Sequence, residues 1–297
     1  MPNAMARLFD SLADRIERLE ALDPLAAKLS KSSASLYRNR TVKDLASGTP
    51  LGHPLHPLLV TVPIGFWGAS SLLDLLRQPE AARTLTGAGV LAYFPTAASG
   101  LSDWTDTQGA EKRVGIVHAS LNATAVTLFS ASWLARRRGR HLLGATLSLV
   151  GLGAVGGGGW LGGHLSYALG VGVDTTAFQH SPTEWTDVAS AGEVEHGTLT
   201  RGDAAGVPVV LTRTAGGDLK AYADRCVHRG GPLHEGELRE GCIVCPWHGS
   251  QFSVADGTVV HGPATRPLPA YEVRVEEGRV QVRADEVRTL RTNPVGI

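Results

Sequence analysis

Cysteine is scarce. Three in 297 residues leave no room for a disulfide framework. Charge is scarce too: only 19% of residues are Asp, Glu, Lys or Arg, and the formal net charge is zero. A balanced, charge-poor chain gives no electrostatic footprint for nucleic acid. Residues 1–48 lack the basic start and apolar core of a signal peptide. Their Leu8, Leu12, Ile16 and Leu19 instead recur at helical spacing between charged residues. That pattern predicts an amphipathic helix lying on a membrane surface or on a helical bundle. No sequence repeat stands out, and no low-complexity tract.

Where the charge is missing is as informative as how much is missing. Residues 58–76 carry one charge, Asp74, and residues 84–102, 114–135 and 142–173 carry none. About twenty apolar residues cross a bilayer as a helix, and soluble helices keep a polar face. Four such runs predict four transmembrane helices within a domain over 49–173, with Pro63 and Pro95 inside the first two. The lipid bilayer is therefore an expected partner, and the bacterial cytoplasmic membrane the expected location. Arg77, Arg83, Arg136, Arg137, Arg138 and Arg140 follow the first and third runs, whereas 161–200 has no Lys or Arg. The positive-inside rule weakly favours placing the C-terminal region outside. The basic Lys28, Lys31, Arg38, Arg40 and Lys43 pull the other way.

The chemistry sits further on. Cys226-Val227-His228 and Cys245-Pro246-Trp247-His248 present two thiols and two imidazoles from two short loops. Two Cys on one iron and two His on the other is the ligand set of a Rieske [2Fe–2S] centre. A Cys2His2 zinc site is the alternative that spacing alone leaves open. The flanking Gly230-Gly231-Pro232-Leu233, Gly249-Ser250-Gln251-Phe252, Asp256-Gly257 and Gly262-Pro263-Ala264 weigh against it. With these, residues 223–275 closely resemble the bacterial Rieske ferredoxins. The resemblance implies a [2Fe–2S] cofactor, with Cys226 and Cys245 on the buried iron and His228 and His248 on the outer one. It places Ser250 where a hydroxyl bonds cluster sulfur, and Phe252 where high-potential relatives carry a Tyr. Gly231 and Trp247 stand where those relatives carry a disulfide. Both departures imply a lower potential. Cys242 reads as a small apolar residue in the strand entering the second loop, and His234 and His261 as surface residues.

Short β-type runs at 185–188, 207–212, 219–223, 243–244, 271–275 and 280–282 predict a small antiparallel barrel or sandwich over 185–297, after a linker at 174–184. The expected architecture is a multidomain chain: a four-span helical bundle followed by a small all-β domain.

Leu51-Gly52-His53-Pro54-Leu55-His56-Pro57, Val117-His118 and Gly162-Gly163-His164 resemble an uncharacterised bacterial four-helix membrane family. Four spans would bring His53, His56, His118 and His164 to one membrane face, the face bearing the C-terminal domain. Histidines at membrane depth are costly and usually functional. They predict a second site for haem b or another metal, with His118 and His164 as the expected axial pair and the Gly156–Gly159 run allowing close approach. Helix-end capping is the alternative, and a quinone pocket is a third.

The expected function is a membrane-anchored electron-transfer protein working with a redox partner protein or quinone. A quinol- or haem-linked oxidoreductase is the alternative, so the sequence leaves enzyme status undecided. Too few residues follow His248 for the catalytic domain of a terminal Rieske oxygenase. A redox sensor or assembly factor is a further class that no residue favours.

Overall fold

A computed structural model describes residues 4–284. They cluster into two compact units. One comprises residues 4–39 and 55–171, the other 40–54 and 172–284. Residues 40–54, which the sequence divides between an N-terminal segment and the membrane domain, thus cluster with the β-rich part.

The first unit is helical. Its elements are α1 (Ala4–Glu17), α2 (Asp23–Ala34), α4 (Leu55–Leu59), α5 (Thr61–Leu75), α6 (Pro79–Thr105), α7 (Gly109–Arg137) and α8 (His141–Tyr167); α3 (Arg40–Ser47) belongs to the other unit. Pro63 is tolerated because it lies in the first turn of α5, where its missing N–H would have no helical partner. Pro79 opens α6 for the same reason. A capping box between Gln108 and Glu111 starts α7.

Three helical stretches are long and apolar enough to cross a membrane: Leu55–Leu75, Gly109–Arg137 and His141–Tyr167. The expected second span, helix α6, is not among them: it has 27 residues but falls short in apolarity, because its inward face is built from small polar residues. Thr86, Thr96, Ser99 and Ser102 are buried there. Thr96 Oγ1 donates to the Ala92 carbonyl at 2.9 Å, satisfying its hydroxyl within the helix.

Arg136 is a second correction. The sequence counts it as a loop cation, but its side chain is fully buried. It makes a bidentate pair with Asp74, at 2.5 and 2.7 Å. Helices α1 and α2 pack on the bundle. Arg113 forks onto the Asp23 carboxylate, with both bonds at 2.6 Å, and Phe9 meets Trp160 with ring centroids 5.2 Å apart.

The second unit holds two antiparallel sheets. Strands β1 (Thr186–Ser190), β2 (Thr200–Ala204), β3 (Val207–Arg213), β4 (Leu219–Ala223), β9 (Ala270–Glu276) and β10 (Arg279–Ala284) form one, in the order β1-β10-β9-β4-β3-β2. The other is β5 (Glu237–Arg239), β6 (Cys242–Val244), β7 (Gln251–Ser253) and β8 (Val259–His261), in sequence order. Alternation puts Val209 and Leu211 into one core with Val280 and Val282. Val210 and Tyr222 face another, with Ile243, Phe252 and Leu268. The expected span of 185–297 runs past the described residues, which end at Ala284.

Candidate metal centre

The loop after β4 and the loop after β6 are closed by the same pair of main-chain bonds. Cys226 N donates to the Gly231 carbonyl at 2.9 Å, and Gly230 N to the Cys226 carbonyl at 2.8 Å. In the second loop, Cys245 N donates to Ser250 at 2.9 Å, and Gly249 N to Cys245 at 3.1 Å. The fifth residue of each loop must take a positive φ, and it is glycine in both, Gly230 at +79° and Gly249 at +72°. The loops are therefore twins, although their His residues stand two and three positions after the Cys.

This geometry turns both sulfurs inward and leaves the imidazoles nearer the surface. Cys226 and Cys245 are 1% and 3% exposed. The two thiols hydrogen-bond each other. That bond, with burial, pushes Cys226 up, while the same bond and the Trp247 and His248 amides bring Cys245 down to about 7. His228 and His248 face each other at right angles, with ring centroids 5.2 Å apart. Burial, followed by the charges of His248, Lys43 and Arg229, holds His228 well below the ordinary histidine range. Neutral imidazole and thiolate are the ligand forms, and the shifts favour them at His228 and Cys245 but not at Cys226.

Gly231 closes the cradle. A Cβ there would lie 2.9 Å from Cys245 Sγ and 3.1 Å from the Trp247 ring. The two positions expected to carry a disulfide in high-potential members of the family are thus filled by a bare backbone and an indole packed on it. Ser250 is fully buried, and its Oγ accepts the Ala264 amide at 3.0 Å, leaving its O–H to donate. Phe252 is fully buried in the core and offers no hydroxyl. Cys242 lies buried in β6, its thiol raised chiefly by burial.

Several supports were illegible in the sequence. Asp44, in α3, accepts from the Gly262 amide at 2.7 Å and pairs with His261 Nδ1 at 2.8 Å. Thr49 Oγ1 donates to the Ala264 carbonyl at 3.1 Å. Together they brace the segment that bonds Ser250. Thr175 donates through Oγ1 to the Cys226 carbonyl at 2.8 Å and through its amide to Val227 at 3.2 Å. The expected linker is therefore stitched to the first loop. His234, expected at the surface, is partly buried and pairs with Asp224 at 2.6 Å. His261 likewise has a structural role.

The donors fit a binuclear cluster. They are two adjacent thiols and two facing imidazoles, whereas a mononuclear zinc site asks four donors to converge on one ion. Two irons with two protein ligands each match the arrangement as two pairs.

The expected membrane histidines separate. His56 and His118 approach with ring centroids 6.4 Å apart. His164 is engaged elsewhere: its Nε2 meets Glu17 Oε1 at 2.8 Å and its ring stacks on Trp160 at 5.7 Å. The expected pairing of His118 with His164 is corrected to His118 with His56. His53 clusters with the β unit, in the stretch before α4.

Residues 184–272 match the Rieske [2Fe-2S] domain family, and residues 52–175 a family described as predicted membrane protein (DUF2231). Ferredoxin CarAc of Metapseudomonas resinovorans is 34% identical over 34% of this chain and 95% of its own length. The 3-phenylpropionate/cinnamic acid dioxygenase ferredoxin subunit of Escherichia coli K12 is 35% identical over 27% of this chain and 77% of its own. Human apoptosis-inducing factor 3 is 30% identical over 33% of this chain, which spans 16% of that protein. Among solved structures, a complex of reduced oxygenase and oxidized ferredoxin in carbazole 1,9a-dioxygenase contains a chain 35% identical over 34% of this one and 94% of its own length, at a TM-score of 0.32.

Proposed function

The chain belongs to the Rieske [2Fe–2S] family through its C-terminal third, and we propose that it is a membrane-anchored one-electron carrier. The observation that carries this is the pair of twin loops, which offer two buried sulfurs and two less buried imidazoles. Cys226 and Cys245 would hold one iron, His228 and His248 the other. When bound, the cluster supplies a single electron. The protein's own part is to shield the sulfur side, to leave the imidazole edges as the route in and out, and to aim the Ser250 hydroxyl at the loaded site. Hydrogen bonds to cluster sulfur stabilise the reduced, more negative state.

The anchoring rests on the three apolar helices and the match to a predicted membrane protein family. The partner is a redox protein, since named relatives are ferredoxins or ferredoxin subunits of dioxygenase systems. Lys43 and Arg229 act electrostatically on His228, which suits a partner with an acidic docking face.

Anaerobic purification with stopped-flow oxidation tests the reading. The expected result is a reduced cluster that gives up one electron per chain to an acidic acceptor protein, more slowly as salt rises. A cluster that exchanges no electrons with any protein or quinone acceptor would overturn it.

A further inference from the structure

Three contacts in the helical unit join residues 62 positions apart: His56 with His118, Trp67 with Phe129, and Asp74 with Arg136. Trp67 and Phe129 stack with centroids 4.3 Å apart and planes 2° from parallel. The offset recurs inside each half. His56 Nδ1 meets the Thr96 carbonyl at 3.0 Å, and His118 Nδ1 meets Gly158 at 2.7 Å. Ser70 donates to Ala82 at 2.8 Å, and Ser132 to Gly144 at 2.7 Å. Ser70 also meets Thr86 at 2.6 Å, and Ser132 meets Ser148 at 2.9 Å. Gly89 backs Trp67 as Gly151 backs Phe129, and Gly100 backs His56 as Gly162 backs His118. Helix ends keep the same step: Leu75 and Arg137, Pro79 and His141, Thr105 and Tyr167.

A residue that touches its own counterpart lies on a two-fold axis. Two same-sense hairpins, α5–α6 and α7–α8, around an axis along the bundle is a known plan for membrane proteins. The absence of a repeat in the sequence reading is thereby corrected. The plan also sorts the histidines. His164 falls opposite Ser102, and its partner Glu17 comes from α1, outside the repeat. Only His56 and His118 form an axial pair.

We propose that this unit is a duplicated helical hairpin and that its axial imidazoles, His56 and His118, bind a haem iron. Each Nδ1 faces a main-chain carbonyl, which can only accept, so each ring donates there and carries its lone pair on Nε2. That is how metal-bound imidazoles are normally oriented. On His118 that lone pair accepts from Asn122 in this structure. Two metal–nitrogen bonds of about 2 Å, with the half-widths of two rings, span roughly 6 Å, close to the 6.4 Å separation. The site offers two protein donors, which suits an iron that brings its own four equatorial nitrogens. Asn122 Nδ2 stands 3.0 Å from His118 Nε2 and also bonds the His118 carbonyl, so it yields on loading. Val60 stands at its counterpart, and the other half has no such plug.

The experiment is titration of the detergent-purified full chain with hemin, read by the Soret band and by the low-spin signal of bis-imidazole iron. The expected result is about one haem per chain. His56→Ala and His118→Ala each lose the low-spin signal, while His53→Ala and His164→Ala keep it. His118→Gly regains it when free imidazole is added, which separates a missing ligand from a misfolded bundle. No saturable haem, a low-spin signal that survives in His56→Ala or His118→Ala, loss in His164→Ala, or no imidazole rescue would overturn the proposal. The cluster's own paramagnetic signal is read in the same samples, so failure here is distinguishable from failure of the electron-carrier reading.

Discussion

Asp74 and Arg136 give the sharpest test of the duplicated bundle. Asp74→Ala would strand a guanidinium with zero exposure, leaving it only the Ser132 and Ser148 hydroxyls, at 3.1 and 3.3 Å. Breaking a buried ion pair on one side costs about 3–5 kcal/mol. The lower end applies, because Asp74 is 16% exposed and water can reach that end. At roughly 2–4 °C per kcal/mol for a unit of this size, the helical unit should melt about 10 °C lower. Exchanging the charges, Asp74→Arg with Arg136→Asp, should recover little by itself. Around Arg136, position 144 is glycine, and a Cβ there would come within 2.5 Å of Arg136 Cγ. The counterpart of Gly144 is Ala82, so its methyl would overpack an arginine at 74, at a cost of about 1–3 kcal/mol. Adding Ala82→Gly opens the same space on the other side, where Ser70 and Thr86 offer matching hydroxyls. The expected order of thermal midpoints, followed by helical circular dichroism in detergent, is wild type, triple variant, double variant, Asp74→Ala. A triple variant no more stable than Asp74→Ala would refute the equivalence of the two halves.

Other outcomes follow from the metal centre. If the Ser250 hydroxyl bonds cluster sulfur, as the family resemblance implies, Ser250→Ala removes that donor; a hydrogen bond to a charged group is worth about 1.5–3 kcal/mol, so the potential should fall by roughly 60–130 mV for one electron with the cluster retained, as read by redox titration. Gly231→Ala places a methyl 2.9 Å from Cys245 Sγ, so iron content should collapse while the β fold, followed by circular dichroism, persists. Tyr222, whose hydroxyl donates to the Val254 carbonyl, is pushed up to about 12, first by burial and then by Asp256. A raised acid favours its protonated form in the folded state, so this stability is present below pH ~10 and lost as pH rises towards 12. The Tyr222 share of tyrosinate absorbance, taken as wild type minus Tyr222→Phe, should therefore appear together with unfolding of the β unit, and Tyr222→Phe should remove that dependence.

The candidate cluster ligands stood out in the sequence because C-x-H and C-x-x-H with their glycines form a local code. What holds the loops was not. Asp44 and Thr49 act across more than 200 residues, and no periodicity connects an α3 carboxylate to the Gly262 amide. The three-residue strands β5, β7 and β8 are too short for alternation to show. In the helical unit the four long helices were visible as uncharged runs. Helix α6 was visible only as a charge-free run, since Thr, Ser and Gly rather than apolar residues fill part of it. Arg136 was misplaced because sequence shows a charge at a helix end but not the carboxylate and glycine that receive it. The duplication stayed hidden for a similar reason. Two of its three axial contacts pair unlike residues, Trp with Phe and Asp with Arg, and only geometry shows that they are counterparts.

The most direct measurement is iron, sulfide and zinc analysis of anaerobically purified protein, combined with pulsed electron paramagnetic resonance of the reduced sample. The account predicts about two non-haem irons and two sulfides per chain. It also predicts nitrogen couplings from two imidazoles that His248→Ala and His228→Ala each disturb. One zinc per chain without sulfide, or a reduced cluster free of nitrogen coupling, would contradict it.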